Sequence, residues 1–136
     1  MSCFATTWVQ VDNNEYIDKD SIKTYIDDHG DINYNKRVFW TKYVGNDVFK
    51  NTEKLLDKEI AYILSQMIID YSNNTIATKS STVYDVDGKS LFSFTNKDFQ
   101  LHYDSIKPNS VAALWADLVK RPRILKKMYK LQQANY

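Results

Sequence analysis

Ile63-Leu64-Ser65-Gln66-Met67-Ile68-Ile69-Asp70-Tyr71 ends a longer apolar stretch, and its reading decides the fold. Leu56, Ile60, Ile63, Leu64, Met67 and Tyr71 fall on one helical stripe, yet Ile63 to Ile69 equally fits a buried strand. Periodicity alone does not separate the two, because a short continuous apolar run suits either element. Local propensity favours a helix over Glu53 to Tyr62 and a strand beyond it, since Ile68-Ile69-Asp70-Tyr71 runs directly into the turn Ser72-Asn73-Asn74.

The flanking segments point to a sheet. Downstream, Ile76, Thr78, Ser80, Thr82 and Tyr84 alternate through the β-rich stretch Thr75 to Val86. Asp87-Gly88 tolerates positive φ and makes a hairpin, with Leu91-Phe92-Ser93-Phe94 as the returning strand. Upstream, the run from Asn35 to Val44 is rich in β-branched and aromatic residues with cations interleaved, and Gly45-Asn46-Asp47 ends it. Further out, Thr7 to Val11 alternates so that Trp8 lies opposite Val9 and Val11. Asp12-Asn13-Asn14-Glu15 turns that strand into a hairpin with Tyr16-Ile17. Ser21-Ile22-Lys23 reads as a tight turn or a single helical turn before a polar loop around Asp27-Asp28-His29-Gly30-Asp31. Near the C-terminus, Asn109 or Ser110 caps a helix whose core face is Val111, Leu114, Trp115 and Leu118. Pro122 cannot continue that ladder, so the helix kinks or restarts there.

At 136 residues, with 43% apolar and 26% charged residues, one core and one domain are expected. Ten Tyr and three Trp favour half-buried pleated surfaces or binding faces. No window approaches the ~20 apolar residues that span a bilayer, and a soluble chain is expected. One cysteine excludes an internal disulfide. Ser2-Cys3-Phe4 fits the end of a lipoprotein signal, which would make Cys3 a lipid attachment site; the alternative is an exposed thiol.

The net charge of +1 conceals an asymmetry: residues 120–136 carry six cations and no acid, leaving 12 basic against 17 acidic residues before them. Arg123, Lys126, Lys127 and Lys130, beside Ile124, Met128 and Leu131, could contact an anionic membrane, nucleic acid or an acidic protein. Alternatively the apolar stripe packs back on the sheet and the cations form a solvated face. Residues 1–119 then form the α+β body and 120–136 a basic helical extension.

Sites for chemistry are sparse. His29 and His102 are the only histidines, and both suit ordinary polar positions better than general-base roles. Asp27, Asp28, His29 and Asp31 are hard ligands without the spacing of a known cation loop, and Asp85-Val86-Asp87-Gly88 lacks the acids of a calcium loop. A glycine-rich phosphate loop, a zinc spacing and a serine elbow are all missing. No enzyme, metal or cofactor is expected.

An initial Trp-Val, then Tyr16-Ile17-Asp18-Lys19-Asp20-Ser21-Ile22, Val38-Phe39-Trp40-Thr41-Lys42-Tyr43-Val44, Tyr84-Asp85-Val86-Asp87-Gly88-Lys89 and Ile106-Lys107-Pro108-Asn109-Ser110-Val111 with Leu114-Trp115, resembles the bacterial surface-adhesin protein E family over about residues 7–119. The resemblance implies an antiparallel sheet of about six strands with a C-terminal helix packed on one face, and a long strand where Ser65 to Tyr71 stands. It also implies export to the envelope, often as a lipoprotein. The namesake of the family binds host matrix proteins such as laminin and vitronectin and can pair into dimers. Relatives commonly have a disulfide from strand to last helix; here Asp70-Tyr71-Ser72 and the surroundings of Leu118 offer no cysteine.

The expected function is therefore a non-catalytic, adhesin-like binding domain of the bacterial cell envelope, in the periplasm or at the outer-membrane surface. Its contact surface is the exposed sheet face or a strand edge, with Tyr16, Trp40, Tyr43 and Tyr84 as anchors. The expected partner is a protein, either a host matrix protein or an envelope component, with a homodimer and membrane proximity through Cys3 as further expectations and no nucleic acid. The alternative is an accessory protein, cytoplasmic or periplasmic, that holds an acidic protein or an anionic membrane through its basic C-terminal helix.

Overall fold

The computed structural model describes residues 7–45 and 59–134. Cys3 and the Glu53 to Lys58 part of the expected helix lie outside those residues. In chain order the elements are β1 (Trp8–Asp12), β2 (Glu15–Asp18), β3 (Lys23–Ile26), β4 (Ile32–Tyr43), β5 (Ile60–Asp70), β6 (Thr75–Asp85), β7 (Ser90–Thr95), a 3-10 turn (Asp98–Gln100), β8 (Asp104–Ser105), α1 (Val111–Lys120) and α2 (Pro122–Ala134).

Among the described residues the strands form one eight-stranded antiparallel sheet, with the path β1-β2-β4-β5-β6-β7; β3 also pairs with β4, and β8 with β6. Long strands β4, β5 and β6 make the frame. β2 pairs with Thr41 to Tyr43 of β4, whereas β3 pairs along the earlier part of the same edge. In the gap between them the Ser21 hydroxyl accepts from the Trp40 backbone N–H at 2.8 Å, so the interrupted edge still satisfies its donor.

The deciding stretch is strand, and it begins earlier than local propensity suggests. Ile60-Ala61-Tyr62, expected as the end of a helix, are β-structured, with Ile60 opposite Asp85 and Tyr62 opposite Tyr84. Pairing to β6 supplies the backbone partners that an isolated helical turn would have found within itself, so long-range context overrides propensity. The strand stops at Asp70, not Tyr71. Its buried carboxylate accepts from Ser72 N at 2.9 Å, Ser72 Oγ at 2.6 Å and Asn73 Nδ2 at 3.0 Å, and Asn74 takes φ 52°. β3 is a further correction: Lys23, expected as the end of the turn, begins a strand that runs to Ile26.

The expected alternation along β6 is broken once. Gln66 faces Ser80 but Met67 faces Thr78, so Lys79 is an extra, bulged residue. Ile76 and Thr78 therefore lie on one face of the sheet, and Ser80, Thr82 and Tyr84 on the other.

The helices cover one face. Val9, Ile17, Phe39 and Ile69 from the strands close a core with Ile106, Leu118, Val119 and Leu125. Ser110 caps α1, its side chain accepting from Ala113 N at 3.1 Å. Trp115 meets Phe39 edge-on at 6.2 Å, and its buried indole N–H has no hydrogen-bond partner among the described residues. The chain restarts at Pro122 as expected. The α2 stripe of Leu125, Met128 and Tyr129 packs into the same core. The Gln132 amide then bonds both ways to the β1 backbone, accepting from Gln10 N at 3.0 Å and donating to Gln10 O at 2.8 Å.

Candidate functional site

The sheet face away from the helices carries an aromatic band. Register decides its membership: Gln10 pairs with Tyr16, Tyr16 with Lys42, Lys42 with Leu64, and Tyr62 with Tyr84. The period of two then puts Trp8, Tyr16, Lys42, Tyr62 and Tyr84 on one surface. Lys42 Nζ lies 5.7 Å from the Trp8 ring centroid, 5.6 Å from Tyr16 and 5.4 Å from Tyr62, within range of cation–π attraction. Tyr62 stacks on Tyr84 at 4.9 Å and 19°. Burial among the rings holds the Lys42 ammonium below the usual lysine range.

Of the anchors expected from sequence, Tyr16 and Tyr84 belong to this band. Trp40 is on the same face but beside it, in a groove of about 560 Å³ with Ser21, Lys23, Val38 and Gln66. Tyr43 is on the opposite face, its register partner on β2 being Glu15, and its ring folds over Gly45, where an added Cβ would meet the hydroxyl at 2.7 Å. Sequence reasoning missed Trp8, Lys42 and Tyr62. Assigning Tyr62 to a helix removed it from the sheet, whereas the alternation around Trp8 and the cation between aromatics in Trp40-Thr41-Lys42-Tyr43 were usable signals.

A polar latch closes the other end of this face. Asp98 accepts from the Tyr25 hydroxyl, Asp28 N donates to Asp98 at 2.6 Å, and Asp98 N donates to Asp28 at 2.8 Å. Lys79 Nζ is 3.3 Å from Asp28 and 3.8 Å from Asp98. Burial alone would raise the Asp98 pKa, but the Asp28 and Tyr25 hydrogen bonds and the Lys79 charge hold it below the usual range. The Asp27 carboxylate is spent on the N–H groups of His29 and Asp31 at 2.9 and 2.8 Å. The acidic loop is thus turn chemistry, and among the described residues no group of three or more His, Cys, Asp or Glu side chains could hold a metal ion. His102 is exposed and pairs locally with Asp104 at 3.0 Å.

On the helical side, Arg123, Lys126, Lys127 and Lys130 are all exposed on α2. Among them stand Ile124, 37% exposed, and Leu131, 68% exposed. Among the described residues no helix is long and apolar enough to cross a membrane.

No protein-family model and no curated protein matches the sequence. Solved structures do match. One crystal form of Haemophilus influenzae protein E superposes with a TM-score of 0.55 at 17% identity, covering 84% of this chain and 87% of that one. Protein E from non-typeable Haemophilus influenzae gives 0.52 at 16% identity, over 96% of this chain and 90% of that one. Such identities carry the architecture and not the residues of a site, and on that footing this chain is an α+β domain with the fold of Haemophilus influenzae protein E.

Proposed function

We propose that the protein is a non-catalytic, adhesin-like binding domain of the bacterial cell envelope that engages a macromolecular partner with the helix-free face of its sheet. The carrying observation is the five-residue band of Trp8, Tyr16, Lys42, Tyr62 and Tyr84, assembled from five strands on one surface. Aromatics held rigid by a sheet lose little entropy on binding and make effective anchors. The shared protein E fold and the resemblance to the adhesin family support the envelope assignment. The β1 edge is a poorer contact than the face, because Gln132 already occupies the backbone groups of Gln10.

The test is binding to immobilised laminin and vitronectin, with near-UV circular dichroism to verify folding. Trp8→Ala and Tyr84→Ala should each weaken binding by about tenfold or more, the scale of an interface hot spot. Lys126→Glu with Lys127→Glu should change it by less than about threefold. The reverse pattern would favour the second reading, in which the α2 cations and the exposed Ile124 and Leu131 hold an acidic protein or an anionic membrane. That contact would also weaken steeply with salt.

A further inference from the structure

A cleft of about 410 Å³ opens on the helical side where β4 passes the junction of α1 and α2, lined by Ile22, Tyr34, Asn35, Arg37, Tyr71, Val119, Lys120 and Pro122. Neither the cleft nor its residues belong to the aromatic band. Its shape comes from an irregularity in β4. Thr24 pairs with Arg37 but Tyr25 pairs with Asn33, so residues 34–36 loop out of the β3 ladder, as bulges do where a side chain is re-aimed.

Two cations meet in this cleft, and none of the lining residues is acidic. Arg37 is half-buried, and its Nη1 donates to the backbone oxygens of Tyr34 at 2.9 Å and Lys36 at 3.1 Å. Those bonds fix the guanidinium plane, and among the described residues no acceptor engages its Nε and Nη2 edge. Lys120 Nζ lies 4.7 Å from the Tyr71 ring centroid, a contact that places the ammonium without neutralising it. The Tyr71 hydroxyl is tied to Ala116 O at 2.6 Å, which holds that ring as a fixed wall. Asp117, the acid nearest in sequence to Lys120, is engaged by Arg121 through two oxygens at 2.6 Å.

We propose that this cleft binds a dianionic phosphate monoester, with the free Arg37 edge gripping two oxygens and Lys120 supplying the second positive charge. A planar guanidinium edge matches two oxygens of an oxyanion, which a point-charge ammonium does not. The formal +2 of the two cations matches a dianion. The volume admits a group larger than phosphate alone, with Ile22, Val119 and Pro122 as apolar contacts for whatever bears it. The phosphate can belong to a small soluble ester or to a lipid headgroup.

The experiment is a titration of the isotopically labelled full chain with inorganic phosphate at constant ionic strength, with chloride as the control, followed by amide and Arg37 Nε–H resonances. Saturable shifts confined to residues 34–37, 71 and 119–123 are expected. Arg37→Lys, which keeps the charge but not the fork, should weaken phosphate by about tenfold, and Lys120→Ala by several-fold. Lys127→Ala, outside the cleft, should leave it unchanged. Absence of a saturable shift, or an Arg37→Lys variant that binds as the parent does, would overturn the proposal; Lys120→Ala keeps the test open if Arg37→Lys fails to fold. Vesicles of phosphatidic acid in phosphatidylcholine separate the sources. Co-sedimentation suppressed by phosphate and by Arg37→Lys assigns a headgroup, whereas phosphate binding without co-sedimentation assigns a soluble ester. Co-sedimentation that survives Arg37→Lys and is lost on Lys126→Glu with Lys127→Glu would put anion recognition on α2 and sink the cleft.

Discussion

Glu15, at the β1–β2 turn, is half-buried, and loss of water together with the nearby Asp12 charge pushes its pKa from 4.5 up to about 7. A carboxyl whose folded pKa lies above its unfolded value holds its proton more tightly when folded. Its contribution to stability is therefore complete below pH 4.5 and declines as pH rises to about 7. Glu15→Gln removes the titration while keeping the shape, so it should raise the melting temperature at pH 8 and leave it nearly unchanged at pH 4. Thermal scans across that range check the difference, and an equal shift at both ends would show that Glu15 is not the titrating group. Trp115 combines a favourable ring contact with an unfavourable polar one. Its ring packs on Phe39 but its N–H is buried without an acceptor among the described residues, and an unmet donor costs about 1–3 kcal/mol. Trp115→Phe should therefore cost far less than Trp115→Ala, for which about 3–5 kcal/mol is expected in urea denaturation.

Elements show where local reading stops. The strands with the plainest alternation, β1 and β4, and the Ser110-capped α1 were legible because their own side chains carry the period and the cap. Ile60 to Tyr62 and Lys23 to Ile26 were not, since both are strands only because β6 and β4 lie beside them. The same distinction governs the site. Tyr16 and Tyr84 stand out by residue type, but their grouping with Trp8 and Tyr62 around Lys42 depends on the registers of four strand pairs. α2 likewise reads as an amphipathic basic helix, and only packing tells which apolar residues are used. Leu125 is fully buried and Leu131 is 68% exposed. Leu125→Ala should cost about 2–5 kcal/mol, and Leu131→Ala less than about 0.5 kcal/mol, as measured by urea denaturation. Similar costs for the two would mean that α2 does not pack on β1 through Leu125.

For the whole molecule, the decisive contacts are those that join segments far apart in the chain. The β3–β4 turn belongs to one side of the β4-β5-β6 frame and the 3-10 turn after β7 to the other, yet the backbone N–H of each of Asp28 and Asp98 donates to the other's carboxylate, and the two carboxylates share Lys79. The sheet must curve for those turns to meet, so the latch holds its curvature. About ten strand residues separate the start of β4 from Lys42, or roughly 30 Å at strand rise, which puts the latch and the aromatic band at opposite ends of one surface. Asp98→Asn should consequently weaken the fold without disturbing the band. Because the folded Asp98 pKa is depressed, its contribution is present above the unfolded carboxylate range and is lost as pH falls through the folded value. Urea denaturation at pH 7 should show Asp98→Asn less stable by about 1–3 kcal/mol, with the gap from the parent narrowing at pH 3. The Tyr62–Tyr84 stack should keep its near-UV signal at pH 7. A gap that stays constant between the two pH values would mean that the Asp98 charge contributes nothing to the latch, and loss of the aromatic signal would mean that the two ends of the sheet are mechanically coupled.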